Sequence, residues 1–281
     1  MTVRLLVAAV VLTATTASAQ TPPSAPAQGG PAAQAQQATP PALPSCPELA
    51  AAVQAAARND ARLSDWPNLA RYREANRTLA TPGPGENRVV FMGDSITDSW
   101  PQPRFGAFFP GKPYVGRGIS GQTTPQMLVR FRPDVIALKP KAVVILAGIN
   151  DIAGNTGPTT DEEIEGHLAS ICELAKANGI KVVLASLLPV SEYHVAPKGV
   201  PQTTTRPMSR VRAVNDWLKG YAQANGHVYL DYFSAMVDGK GLLREELSED
   251  DLHPNAKGYA IMGPLAEAAI ARALEGAGGK K

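Results

Sequence analysis

The stretch "RVVFMGDSIT", residues 88–97, decides the fold. Its apolar run shows no polar alternation, so a strand formed there has both faces to bury. It ends in Gly93 and Asp94, and Ser95 stands just beyond. A serine at a strand end is either a turn cap or a nucleophile. What the rest of the chain brings to it decides between the two.

Outward from that run the same pattern recurs. Strand-like apolar segments fall at Arg88–Met92, Pro113–Val115, Ala142–Ala147, Lys181–Ser186 and Val228–Asp231. Helical periodicity lies between most of them, at Pro125–Leu138, Thr160–Asn178 and Met208–Asn225, with a last helix from Asn255 to Leu274. Thr160-x-x-Glu163 is a capping box, and Gly179 and Gly226 fall where a helix asks for a left-handed end. Continuous apolar strands alternating with helices imply a parallel sheet covered on both faces. The expected fold is α/β: a three-layer α/β/α sandwich on a mainly parallel five-stranded sheet, flavodoxin-like in type. Ligands of such sheets bind beyond the carboxyl ends of the strands. Ser95, Gly121, Asn150 and the loop Leu187–Pro207 all belong to that edge.

The N-terminal part reads differently. Residues 1–19 carry Arg4, an apolar stretch too short to span a bilayer, and the small-residue pattern Ala17-Ser18-Ala19. They are expected to be a signal peptide, with export to the periplasm or beyond. Residues 20–44 are rich in Pro, Ala and Gln and read as a flexible linker. Ser45-x-x-Glu48 is a second capping box, opening a helix from Cys46 to about Arg58. A further helical stretch, "NLARYREANRTL", completes an extension over 45–87, ahead of the main domain at 88–276.

Lys and Arg exceed Asp and Glu by only two, with no basic cluster, so a nucleic-acid partner is not indicated. The two cysteines, Cys46 and Cys172, permit one disulfide in an oxidising compartment. Cys172 also fits as a plain buried thiol on a helix face. Neither cysteine has metal-site spacing, and the sequence leaves oligomeric state open.

A serine nucleophile needs a base and a group that orients the base. Among four histidines, His167 reads as solvated on a charged helix and His227 as opening a strand. His194 lies in the loop after the fourth strand and competes for the role. His253, in "SEDDLHPNAKGY", has Asp250 three residues before it, which one turn can bring against the imidazole. Asp251 then reads as a solvated or helix-capping acid. An oxyanion needs donors, and "GRGISGQTT" offers glycine-rich amides around Gly121 while "LAGIND" offers Asn150. Ser120 reads as a loop residue.

The ordered set "GDSIT", "GISGQTT", "GIND" and "DDLHPN" resembles the SGNH hydrolases, also called the GDSL esterase/lipase family. The resemblance runs from Arg88 to about Leu274. It implies Ser95 as nucleophile, His253 as base and Asp250 as its orienting acid. It implies an oxyanion hole of the Ser95 and Gly121 amides with the Asn150 side chain, and no metal or cofactor. Gly116 and Ile149 depart from residues common in the family, which bears on substrate fit. The implied substrate is an ester of a small molecule, a lipid or an acylated glycan, in the acylhydrolase and lysophospholipase-like branch. Tyr193 and His194 are candidate substrate contacts. Two other readings stay open: a ligand-binding module that lost catalysis, and a flavodoxin-like cofactor binder using "GDSIT" at a helix N-terminus.

Overall fold

The computed structural model describes residues 46–195, 197 and 199–275; the expected signal peptide, linker and Ser45 cap lie outside them. The chain divides into two units, 1–49 and 50–281. Of the first, only Cys46–Leu49 are described, and they are helical. The second holds the sheet.

Its five strands are β1 (Val89–Gly93), β2 (Tyr114–Gly118), β3 (Ala142–Leu146), β4 (Lys181–Ala185) and β5 (Val228–Leu230), all parallel in the order β2-β1-β3-β4-β5. Ten α-helices lie among the described residues. The first five are α1 (Cys46–Ser64), α2 (Arg73–Thr78), α3 (Ser95–Ser99), α4 (Thr124–Asp134) and α5 (Ile149–Ile152). The others are α6 (Asp161–Ala177), α7 (Gln202–Thr205), α8 (Met208–Asn225), α9 (Phe233–Met236) and α10 (Ala256–Glu275). Among these residues, no helix is long and apolar enough to cross a membrane.

Successive strand residues point to opposite faces, so each strand feeds two cores. Val90, Met92, Val143, Ile145, Val182 and Leu184 pack on one face against α4, α6 and α8. Val89, Phe91, Val144, Val183, Ala185 and Leu230 pack on the other against α10, α3 and an aromatic cluster around Trp100 and Phe109. This is the three-layer sandwich the sequence implies. The helix signals act as expected: Thr160 and Glu163 cap α6 reciprocally at 3.2 and 2.8 Å, and Gly179 and Gly226 are left-handed at φ 69° and 68°.

Two expectations change. The helical stretch over 68–79 is helical only at Arg73–Thr78. Asp65 accepts the amides of Leu69 and Ala70 at 2.7 and 2.8 Å, and Asn68 turns left-handed, so the preceding residues form turns. Strand β2 runs on through Gly116–Gly118, which their glycines disguise as a turn. Cys172 is a free, fully buried thiol, one of the two readings left open by the sequence, and desolvation pushes its pKa up to about 12.

Gly118 matters because α3, which carries Ser95, passes directly over it. A Cβ there would lie 2.1 Å from the Asp98 amide nitrogen and 2.5 Å from the Thr97 carbonyl carbon. Backbone cannot yield as a flexible side chain can. Gly118→Ala is expected to cost about 3 kcal/mol or more of stability, read as a lowered urea midpoint. An unchanged midpoint would show that α3 has room to move.

Candidate active site

Strand β1 delivers Ser95 to the carboxyl edge of the sheet. Asp94 caps α3, its carboxylate accepting the Ile96 amide at 3.0 Å, so Ser95 opens the helix with its own amide among the orphan donors. Ser95 Oγ lies 2.8 Å from His253 Nε2. On the other side of the ring, His253 Nδ1 lies 2.6 Å from Asp250 Oδ2. The second Asp250 oxygen accepts the amides of His253 and Leu252 at 2.7 and 3.1 Å, and the Ser248 hydroxyl at 3.2 Å. Partial burial raises the Asp250 pKa, but the His253 ring and these amides outweigh it and hold the carboxyl well below the usual range. An ionised Asp250 keeps the proton on Nδ1, leaving Nε2 to accept from the serine hydroxyl. That relay can pull a proton from Ser95.

Gly121 and Asn150 stand on the same cleft, which has a volume of about 430 Å³. Gly121 is left-handed at φ 78°, a conformation its loop requires. Asn150 is buried, its Nδ2 donating 3.1 Å to the Gln122 carbonyl and lying 3.5 Å from Asp94 Oδ2. The expected residues Ser95, Gly121, Asn150, Asp250 and His253 are thus brought together from four segments of the chain.

Tyr193 and His194 are not with them. The Tyr193 hydroxyl donates to Asp238, and Lys240 Nζ sits 5.1 Å above its ring. His194 Nδ1 is 3.1 Å from Asp251 Oδ1 rather than near Ser95. Neither lines the cleft. Asp251 is not the solvated or helix-capping acid expected from sequence. It is buried at φ 67° and accepts the Ser191 hydroxyl at 2.6 Å and the amides of Tyr193 and His194 at 3.0 and 2.8 Å. His167 is likewise half-buried, its Nδ1 3.1 Å from Thr124 Oγ1, whose hydroxyl and amide hold the buried Asp151.

Sequence reasoning passed over several residues here. Asp94 was readable only as the middle letter of "GDS", yet burial pushes its pKa up to about 6. Arg206 and Arg104 line the cleft, and among the described residues Arg206 Nε has no hydrogen-bond partner. No local pattern marks either arginine. Among the described residues, no cluster of three or more His, Cys, Asp or Glu side chains could hold a metal.

The model of the GDSL-like lipase/acylhydrolase family matches residues 91–261. The chain belongs to that family. A GDSL-like lipase from Bacteroides thetaiotaomicron is 42% identical, with a TM-score of 0.67, covering 74% of this chain and 99% of that one. Axe2, an acetylxylan esterase from Geobacillus stearothermophilus, shares the fold at 24% identity and TM-score 0.53, over 68% of this chain and 95% of its own. Two curated sequences match over shorter stretches. The acetylxylan esterase of Geobacillus stearothermophilus is 38% identical across 25% of this chain, and lipoprotein YqeF of Bacillus subtilis strain 168 is 35% identical across 28%. The chain spans 42% and 33% of those two proteins' lengths.

Two aspartates of this GDSL hydrolase give testable effects. Asp251→Ala strands one hydroxyl and two amides, and is expected to cost about 1–3 kcal/mol, measured by urea unfolding; no change would return Asp251 to the solvent. Asp94 releases its proton near pH ~3.9 when unfolded but only at about 6 when folded. Between those values the unfolded chain binds fewer protons, so this group's contribution to stability falls as pH rises and levels off above about 6. The thermal midpoint of the wild type should therefore decline relative to Asp94→Asn across that window. Parallel profiles would mean that Asp94 titrates as an ordinary acid.

Proposed function

We propose that the protein is an exported serine esterase that hydrolyses carboxylic esters through an acyl-enzyme. The observation that carries this reading is the relay from Ser95 through His253 to Asp250, with the Gly121 and Asn150 donors on the same cleft. Ser95 Oγ attacks the ester carbonyl while His253 Nε2 takes its proton. The carbonyl oxygen becomes an oxyanion facing the amides of Ser95 and Gly121 and the Asn150 side chain. The tetrahedral adduct collapses, the carbon–oxygen bond to the alcohol breaks, and His253 returns the proton to the leaving alcohol. Water, deprotonated by His253, then attacks the acyl-serine and frees the acid. Asp250 holds the ring tautomer and stabilises the imidazolium throughout.

The cleft suits a short acyl group, on a carbohydrate or lipid alcohol. Export rests on the signal-like character of residues 1–19. Residues 45–87 are read as an N-terminal extension, and its Asn76 amide donates to Asp134 at 2.7 Å.

Ser95→Ala is expected to abolish hydrolysis of p-nitrophenyl acetate with the circular dichroism unchanged, and a fluorophosphonate should label Ser95 alone. Asp250→Asn should lower turnover by about 10⁴. Asn150→Ala should lower it by about 10²–10³ with little change in KM. Labelling at Ser120, or full activity in Ser95→Ala, would overturn the assignment.

A further inference from the structure

A second depression shares Ser120 and Gly121 with the catalytic cleft. It has a volume of about 670 Å³, larger than the cleft itself. A short acyl group occupies little of the cleft, so this additional room fits the alcohol side of an ester. Trp66 and Asn68 of the N-terminal extension also line it, and both precede the 91–261 span of the family match.

Trp66 is the unusual member. It is 42% exposed, and among the described residues no other aromatic ring stacks on it. Its backbone is nonetheless fixed: Gln126 Nε2 donates to the Trp66 carbonyl at 2.7 Å, and Gln122 Nε2 to the Pro67 carbonyl at 2.6 Å. A large apolar ring held open to water on a rigid loop offers a flat contact surface at small entropic cost. Asn155 and Thr156, on the loop that follows α5, also line the groove. Asn155 Nδ2 donates to the Gly121 carbonyl at 3.0 Å, so this loop is tied to the Gly121 turn.

The chemistry of this lining is specific. A pyranose ring has an apolar face of C–H groups and a rim of hydroxyls. An indole matches the first, and the Asn68 and Asn155 side chains with the Thr156 hydroxyl oxygen match the second. The groove's carboxylate, Asp65, is already engaged by the amides of Leu69 and Ala70, so the surface asks for a neutral sugar. An acyl chain would want a continuous apolar channel, which amides and hydroxyls do not provide.

We propose that this groove is a saccharide subsite, in which Trp66 stacks the sugar ring of a neutral, O-acylated oligosaccharide whose ester enters the Ser95 cleft. The proposal rests on the esterase reading and names the alcohol that the ester carries.

Binding separates the two readings. Ser95→Ala, which keeps the groove, is titrated calorimetrically with acetylated xylotetraose, mannotetraose and chitotetraose, alone and combined with Trp66→Ala or Trp66→Phe. At least one sugar is expected to bind Ser95→Ala. Trp66→Ala should weaken it by about tenfold or more, while Trp66→Phe, which keeps a ring, should retain most of the affinity. In the active enzyme, Trp66→Ala should depress kcat/KM for that sugar by a similar factor relative to p-nitrophenyl acetate, mainly through KM. Binding with no ester hydrolysis would sink the esterase reading and leave the subsite standing. Failure of all three sugars to bind, equal binding with and without the Trp66 ring, or a Trp66 effect seen only with lysophosphatidylcholine would overturn the subsite.

Discussion

One buried cation ties the catalytic edge together. Arg130 on α4 is fully buried, and such a charge is tolerable only when paired and hydrogen-bonded. Its Nη1 meets Asp134 at 3.0 Å, its Nη2 donates to the Gly93 carbonyl at 3.0 Å, and its Nε donates to Gln122 Oε1. Each contact fixes a different part of the site. Gly93 is the last residue of β1 before Asp94 and Ser95. Gln122 follows Gly121, its carbonyl receives Asn150, and its side-chain amide holds the extension at Pro67. Moving any of these elements would leave part of a desolvated guanidinium without its partner. Ser95, Gly121, Asn150 and the segment bearing Trp66 therefore share one electrostatic anchor.

Consecutive acids at 250 and 251 are sent to opposite tasks by one backbone feature. Asp251 adopts φ 67°, a left-handed conformation that Asp tolerates better than most residues. The turn directs Asp250 toward His253, while Asp251 enters the protein and gathers the loop around Ser191–His194. Two Asp–His contacts result, at 2.6 and 3.1 Å, and only the first also reaches the serine.

The layer order and the five strands were legible because they follow from local rules, whereas the candidate site residues stood out only as an ordered set of motifs resembling a family. Apolar runs without alternation give buried parallel strands, capping boxes bound helices, and a parallel sheet sends functional groups to one edge. Where the sequence misled, a side chain's distant partner decided the outcome. The turns before α2 depend on the Asp65 carboxylate, and the burial of Asp251 and His167 depends on Ser191 and Thr124. Composition around a residue cannot reveal a partner 60 positions away, as Ser191 is from Asp251. Tyr193 and His194 sat in the right loop for substrate contact, yet Asp251 and Asp238 had already claimed them.

Burial and donor count together explain why aspartates within one site behave in opposite ways. Asp250 is half-exposed and receives the His253 ring, two amides and a hydroxyl, which together outweigh the desolvation cost of its ionised form. Asp94 is fully buried and receives one good amide bond and a long approach from Asn150, so desolvation wins and its pKa rises. Asp151 is also raised by burial, although the Thr124 hydroxyl and amide oppose the effect. A carboxylate that must balance an imidazolium has to stay ionised whenever the imidazolium forms. Of the three, Asp250 meets that condition most fully, and it alone touches the ring. Its role follows from the hydrogen bonds that converge on it, and the three-residue spacing in the sequence is the covalent means of delivering them.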